Sequence, residues 1–138
     1  MKIIWGYTPE DLLETSKEIG VDILSVKQLF SALLFKNGIK GISIEIVSYT
    51  DNAAVNISLI IDSAKVFDED FSPKESKRYD FLLSEIVFPS SKIEVELTVK
   101  EGSVTLPISS IGVGMGFQKQ SDKYLPTNHI ALGLILPD

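Results

Sequence analysis

The run Ser91–Phe117, SKIEVELTVKEGSVTLPISSIGVGMGF, constrains the fold more than any other part of the chain. Ile93, Val95, Leu97 and Val99 alternate with Lys92, Glu94, Glu96, Thr98 and Lys100, the two-residue period of a strand with one face in a core and the other in water. Beyond Glu101-Gly102 the alternation resumes at Val104, Leu106 and Ile108. If those two residues form the loop, Val99 faces Val104, Leu97 faces Leu106 and Val95 faces Ile108, so the apolar side chains of both strands share one side. A second stretch behaves alike. Ile42, Ile44 and Ile46 precede Asp51-Asn52, and Val55, Ile57, Leu59 and Ile61 follow it. A loop at Asp51-Asn52 sets Ile46 against Ile57, Ile44 against Leu59 and Ile42 against Ile61. The sequence therefore predicts an antiparallel sheet founded on two hairpins.

Three segments carry helix signals. Thr8 can cap a helix that begins at Pro9, with Glu10 and Asp11 at the positive end of its dipole, Tyr7 stapled to Leu12, and Gly20 as the stop. Ser25 and Gln28 have capping-box spacing, Leu24 can staple onto Leu29, and Val26, Leu29, Phe30, Leu33 and Leu34 form a helical stripe that ends at Asn37-Gly38. Ser72, Pro73 and Glu75 open a third, whose inward face is Tyr79, Leu82, Leu83 and Ile86 and which Pro89 ends. Residues Lys2–Trp5 read as an edge strand, Ser63–Phe71 as a crossing segment, Gln118–Asn128 as an exposed loop, and His129–Leu136 as a central strand buried on both sides. The apolar phase slips near Ser109-Ser110, where a bulge or bend is expected.

The expected class is α+β: an antiparallel sheet of five or six strands, with the two N-terminal helices and the mid-chain helix mainly on one face, in a single domain spanning 1–138. A β-sandwich or partly closed barrel with helices at one end is the alternative. An apolar content of 44% is enough for a core at this length of 138 residues.

Several chemistries are excluded or disfavoured. The chain has no cysteine, so disulfides, thiolate nucleophiles and Cys-ligated metals are out. Proline and acids interrupt the amino-terminal stretch MKIIWGYTPEDLL before an apolar run builds, which points to a cytoplasmic protein without a secretory signal or membrane span. The net charge of −6, from 13 basic and 19 acidic residues, disfavours nucleic acid and anionic membrane surfaces and favours a basic partner.

Two candidate sites stand out. Asp68, Glu69 and Asp70, with Asp62 nearby, form the densest carboxylate cluster; it lacks the offsets of a calcium loop and reads as a solvated acidic loop or a patch for a basic partner, with no metal. Gly112, Gly114 and Gly116 leave a strand face bare, either for a ligand or because another backbone packs there; their spacing is not that of a dinucleotide-binding loop, since Phe117 stands where the third glycine belongs. His129 is the only histidine, which rules out a multi-histidine site within one chain and leaves a lone acid or base helped by Asp122 or Tyr124, or an ordinary strand residue. Lys74, Lys77 and Arg78 could grip a phosphate but fit a solvated surface more simply, and the sequon at Asn56 is expected to be accidental.

With no catalytic constellation and no cofactor expected, the sequence points to a non-enzymatic protein–protein interaction module that uses an acidic loop or exposed sheet edge, for example an inhibitor or immunity-type protein. The alternatives are a small-molecule-binding or sensor domain over Gly112, Gly114 and Gly116, and a structural subunit of a larger assembly, with homo-oligomers permitted.

Overall fold

Alternation that continues on both sides of nearly every turn leads to strands, and strands are what the computed structural model contains throughout residues 1–9 and 15–138, the part it describes. In chain order they are β1 (Ile3–Trp5), β2 (Thr15–Ile19), β3 (Ser25–Ser31), β4 (Ile39–Glu45), β5 (Ser48–Tyr49), β6 (Ala54–Ile61), β7 (Ala64–Phe71), β8 (Arg78–Val87), β9 (Lys92–Glu101), β10 (Val104–Ser109), β11 (Met115–Gln120), β12 (Lys123–Thr127), β13 (His129–Ile130) and β14 (Leu132–Ile135). A four-stranded sheet has the order β1-β14-β4-β8 and a six-stranded sheet the order β12-β11-β3-β9-β6-β7. A smaller sheet, β13-β10-β2 with β5 alongside β10, joins them. All pairings are antiparallel, and the inward rows share one apolar core that includes Phe30, Ile42, Ile44, Ile57, Leu59, Val95, Leu97 and Leu134.

The α+β expectation is thus corrected to a nearly all-β architecture, whose helical content among the described residues is the 3-10 turn Ala32–Leu34. The physical reasons differ by segment. Of the first expected helix, Glu10–Glu14 lie outside the described residues, while Thr15–Ile19 pair with β10, from Ile108↔Thr15 to Val104↔Ile19. In the second, Val26, Gln28 and Phe30 all point inward and are buried, whereas Leu33 and Leu34 of the expected stripe are exposed. Burying Val26 and Phe30 is worth about 1.5–3 kcal/mol each, far more than the few tenths per residue of helix propensity at stake. In the third, Tyr79, Phe81 and Leu83 pack on the core from a strand, and Leu82 and Ile86 face solvent. The amides that a Ser72 cap would satisfy are engaged by another group: the Tyr79 hydroxyl accepts from the amides of Lys74 and Glu75 at 3.1 and 3.0 Å and donates to the Glu75 carbonyl at 2.7 Å.

Both expected hairpins are also corrected. The strands are present, but β4 pairs with β14 and β8, β6 with β7 and β9, and β9 with β3 and β6. Neither Glu101-Gly102 nor Asp51-Asn52 joins two neighbours of one sheet; each carries the chain from one sheet to another. A two-residue loop tests only parity, and parity is met equally by strands that face each other across a sandwich. The tight hairpins lie in places read as a crossing segment and a loop: Asp62-Ser63, both with positive φ (51° and 72°), turns β6 into β7, and Ser121-Asp122 turns β11 into β12. The Asp62 turn is held by its own side chain, whose oxygens accept from the amides of Ser90, Ser91 and Lys92 and the hydroxyls of both serines. Led by the Ser91 hydroxyl, these donors hold the Asp62 carboxyl well below the usual carboxylate range.

Other expectations agree with the structure. β1 is an edge strand, and of the expected central strand His129–Leu136 the part Leu132–Ile135 (β14) lies between two neighbours with every residue buried, whereas His129–Ile130 (β13) is a separate strand at the end of the small sheet. The phase slip after Ser109 is where the chain leaves the small sheet to enter the six-stranded one. No helix among the described residues is long and apolar enough to cross a membrane.

Candidate functional site

Among the described residues, the two large sheets each end in an unpaired strand on the same side of the sandwich, β7 for the six-stranded sheet and β8 for the four-stranded one. Residues between Phe71 and Arg78 carry the chain from one to the other. Aromatic side chains tie the two edges together: Phe71 lies 5.0 Å from Phe81 and 5.4 Å from Tyr79, and Phe67 lies 6.1 Å from Phe81, ring centre to ring centre. Such pairs add about 0.5–1.5 kcal/mol each beyond their buried area.

Both edges are irregular at the same level. In β7 the register steps from Leu59↔Phe67 to Ile60↔Lys65, leaving Val66 as an extra residue. In β8 it jumps from Gly41↔Leu82 to Ile39↔Val87, so residues 83–86 stand against Lys40 alone. Bulges bend a strand and re-aim its side chains. Here they part the two edges over a cleft of about 420 Å³ lined by Val66, Phe67, Leu82, Leu83, Ser84, Glu85 and Val87. Leu82 keeps 55% of its surface in water, and the apolar surface extends beyond the cleft through Ile86 to Phe88, which is 67% exposed.

The acidic cluster borders this cleft, but strand alternation divides it. Asp68 and Asp70 lie on the outer face, where the Asn56 amide donates to both, at 2.6 and 2.8 Å. Lys65 reaches Asp68 at 3.6 Å, and Lys100 reaches Asp70 at 3.0 Å. The bonds from Asn56, then Lys100, lower the Asp70 pKa. Glu69 belongs to the opposite row, between Phe67 and Phe71, and pairs in register with Ile57. The Asn56 side chain is thereby occupied. Lys77 and Arg78 pair with Glu75 and Asp80, at 3.4 and 3.1 Å, so these two charges are each turned to a neighbouring carboxylate.

The three glycines occupy no open face. A Cβ on Gly112 would lie 2.0 Å from the Gly6 carbonyl oxygen, one on Gly114 1.8 Å from that of Leu29, and one on Gly116 2.2 Å from that of Asn128. Gly114 also has φ +75°, which side-chain-bearing residues rarely adopt. Close approach of backbone to backbone is what these glycines permit. The organiser of that region is Gln28, fully buried on β3. Its amide nitrogen donates to the Val113 carbonyl at 2.7 Å and lies 3.4 Å from His129 Nδ1, while its oxygen accepts from the Ile130 amide at 3.1 Å. His129 therefore sits in a structural joint between sheets; the Asp122 and Tyr124 side chains, which the sequence offered as helpers, make no hydrogen bond to it. Tyr124 instead donates to Glu96, with the Lys27 ammonium 3.9 Å from its ring centre. Burial first, and the bond to Glu96 second, push its pKa up to about 12. The described residues hold no group of three or more His, Asp or Glu side chains placed to ligate a metal ion.

Sequence reasoning missed the cleft. Its signal is the run Phe81-Leu82-Leu83: three consecutive apolar residues in a strand must turn one of them, here Leu82, away from the core. Reading that segment as a helix hid this mismatch.

No family model matches the sequence, and no curated protein matches it. Among solved structures the chain is similar to one of the cysteine protease and lectin-like domains of a surface layer associated protein of Clostridium difficile, with a TM-score of 0.57 at 9% identity over 86% of this chain. The chain spans about a third, 35%, of the length of that solved chain. At that identity the likeness is one of fold, and the fold is the antiparallel β-sandwich described above.

Proposed function

We propose that this chain is a non-enzymatic protein–protein interaction module that receives an extended, basic segment of a partner along its open edge. The observation that carries the reading is the coincidence of two facing bulges, at Val66 and at residues 83–86, which open an apolar cleft between two unpaired strands. An unpaired strand offers a row of backbone donors and acceptors, and a neighbouring cleft takes alternate side chains of whatever is added; the first supplies affinity and the second specificity. The acidic residues beside the cleft favour a partner of opposite charge and hasten encounter more than they add affinity. The small-molecule alternative is not carried further, because the glycine face on which it depended is filled by the protein's own backbone.

Leu82 and Leu125 are both exposed leucines, one at the cleft and the other on β12, at the far edge of the same sandwich. Replacing Leu82 by glutamate removes an apolar anchor and sets a charge in the cleft, at a cost of about 1–3 kcal/mol in binding, or roughly ten- to a hundredfold in affinity. Capture from the source cell's lysate, with bound proteins identified and compared across variants, should yield a protein held by the wild type and by Leu125→Glu but lost with Leu82→Glu. Equal capture by all three proteins would rule out the cleft as the binding site.

A further inference from the structure

We infer that the received segment adds to the free side of β7 and alternates large apolar with basic residues, the outward Asp68 and Asp70 serving as the gate that selects it. This rests on the reading of the open edge given above and specifies the partner's chemistry.

From Phe67 to Phe71 β7 is regular, holding unbroken register with β6 from Leu59↔Phe67 to Val55↔Phe71. That is the stretch able to template another strand, whereas β8 leaves its neighbour over residues 83–86. A strand laid against it must itself alternate. Every second side chain points inward, toward Phe67 and Phe71 and the cleft beside them. The intervening ones point outward and stand beside Asp68 and Asp70, at the roughly 5 Å spacing of directly opposed residues.

The state of the two aspartates suits them to a gate. They share one amide donor and each has a single exposed lysine, Lys65 or Lys100. Exposed ion pairs of this kind contribute little, so an incoming lysine or arginine can take the place of either without a large penalty. Glu69, on the inward row, has no ion-pair partner among the described residues and adds to the same preference. A second copy of β7 aligned on the first would set carboxylates against carboxylates, and like charges directly opposite destabilise a strand pair. Charge on an edge strand is the usual protection against indiscriminate pairing. Combined with an apolar cleft, it becomes selection, since the protection is lifted only for a strand that brings the opposite charge.

The test uses two labelled ten-residue peptides, one alternating lysine with leucine, valine and phenylalanine, the other carrying glutamate at each lysine position, with binding read by fluorescence anisotropy. The wild type should bind the lysine peptide at least tenfold tighter than the glutamate peptide, with affinity falling as salt rises. The double variant Asp68→Lys/Asp70→Lys should reverse the preference, Asp68→Asn/Asp70→Asn should erase it, and Leu82→Glu should weaken both peptides. Melting curves confirm that each variant is folded. Equal binding of the two peptides, a preference that survives charge reversal, or no binding of either peptide overturns the inference. Equal peptide binding that is still lost with Leu82→Glu leaves the cleft as the site and removes only the gate, whereas a charge preference untouched by Leu82→Glu removes the cleft.

Discussion

Substituting valine for Gly114 is expected to unfold the protein or lower its stability by about 4 kcal/mol or more, a large share of the 5–15 kcal/mol that holds a domain of this size together. Two separate costs add. The residue sits at φ +75°, a conformation that is a genuine outlier for a β-branched side chain. Its new Cβ would also lie 1.8 Å from the Leu29 carbonyl oxygen, a backbone atom of β3 that cannot swing aside as a side chain could. Relief would require β11 to move away from β3, breaking the pairs Met115↔Leu29 and Gly116↔Gln28. Urea denaturation followed by circular dichroism measures the loss. A Gly114→Val protein with an unchanged midpoint would show that the β3–β11 contact is not as tight as described.

Gln28→Leu should cost about 2–4 kcal/mol with little change in side-chain volume. The leucine satisfies neither the Val113 carbonyl nor the Ile130 amide, and a buried backbone group left without its partner costs about 1–3 kcal/mol. Because Gln28 joins β3 to β13 and to the segment before β11, the loss should spread to both neighbours. Faster amide exchange at Ile130 and Met115 in the variant would show this, and exchange as slow as in the wild type would contradict it. A leucine core position that merely needed filling would instead make the substitution neutral or stabilising.

Gln28 also shows why the fold class was not legible. The strand SVKQLFS would have shown a clean alternation at Val26, position 28 and Phe30 had position 28 been apolar. A polar residue there broke the two-residue period and left the three-to-four-residue period of Val26, Leu29, Phe30, Leu33 and Leu34 as the better match. What makes glutamine tolerable in the core, a carbonyl and an amide from positions 113 and 130, is remote in sequence. The same holds for Tyr79, whose hydroxyl takes up the loop that resembled a helix cap. The strands around Ile42, Ile57, Val95 and Leu106 were legible because their alternation is local. Their partners were not, since β4 and β6, and likewise β9 and β10, which the loop positions matched to each other, lie in different sheets.

The site was legible in part. Asp68, Glu69 and Asp70 were picked out as an acidic cluster, and composition alone could not show that alternation would send two of them outward and one inward. The cleft depends on register shifts in two strands, and register is set by partners on β4 and β6 rather than by the edge strands themselves. For the glycines the sequence posed the right alternatives, a bare face or a close backbone, and the positions of the Gly6, Leu29 and Asn128 carbonyls favour the second.

Amide hydrogen exchange of the whole protein, with and without the alternating lysine peptide, tests the central claim most directly. If a strand adds to the open edge, the amides of Phe67–Phe71 that face away from β6 should slow markedly on adding the peptide, while those of β12 at the opposite edge stay as they were. Protection that appears on β12, or a β7 that exchanges at the same rate with and without peptide, would contradict it.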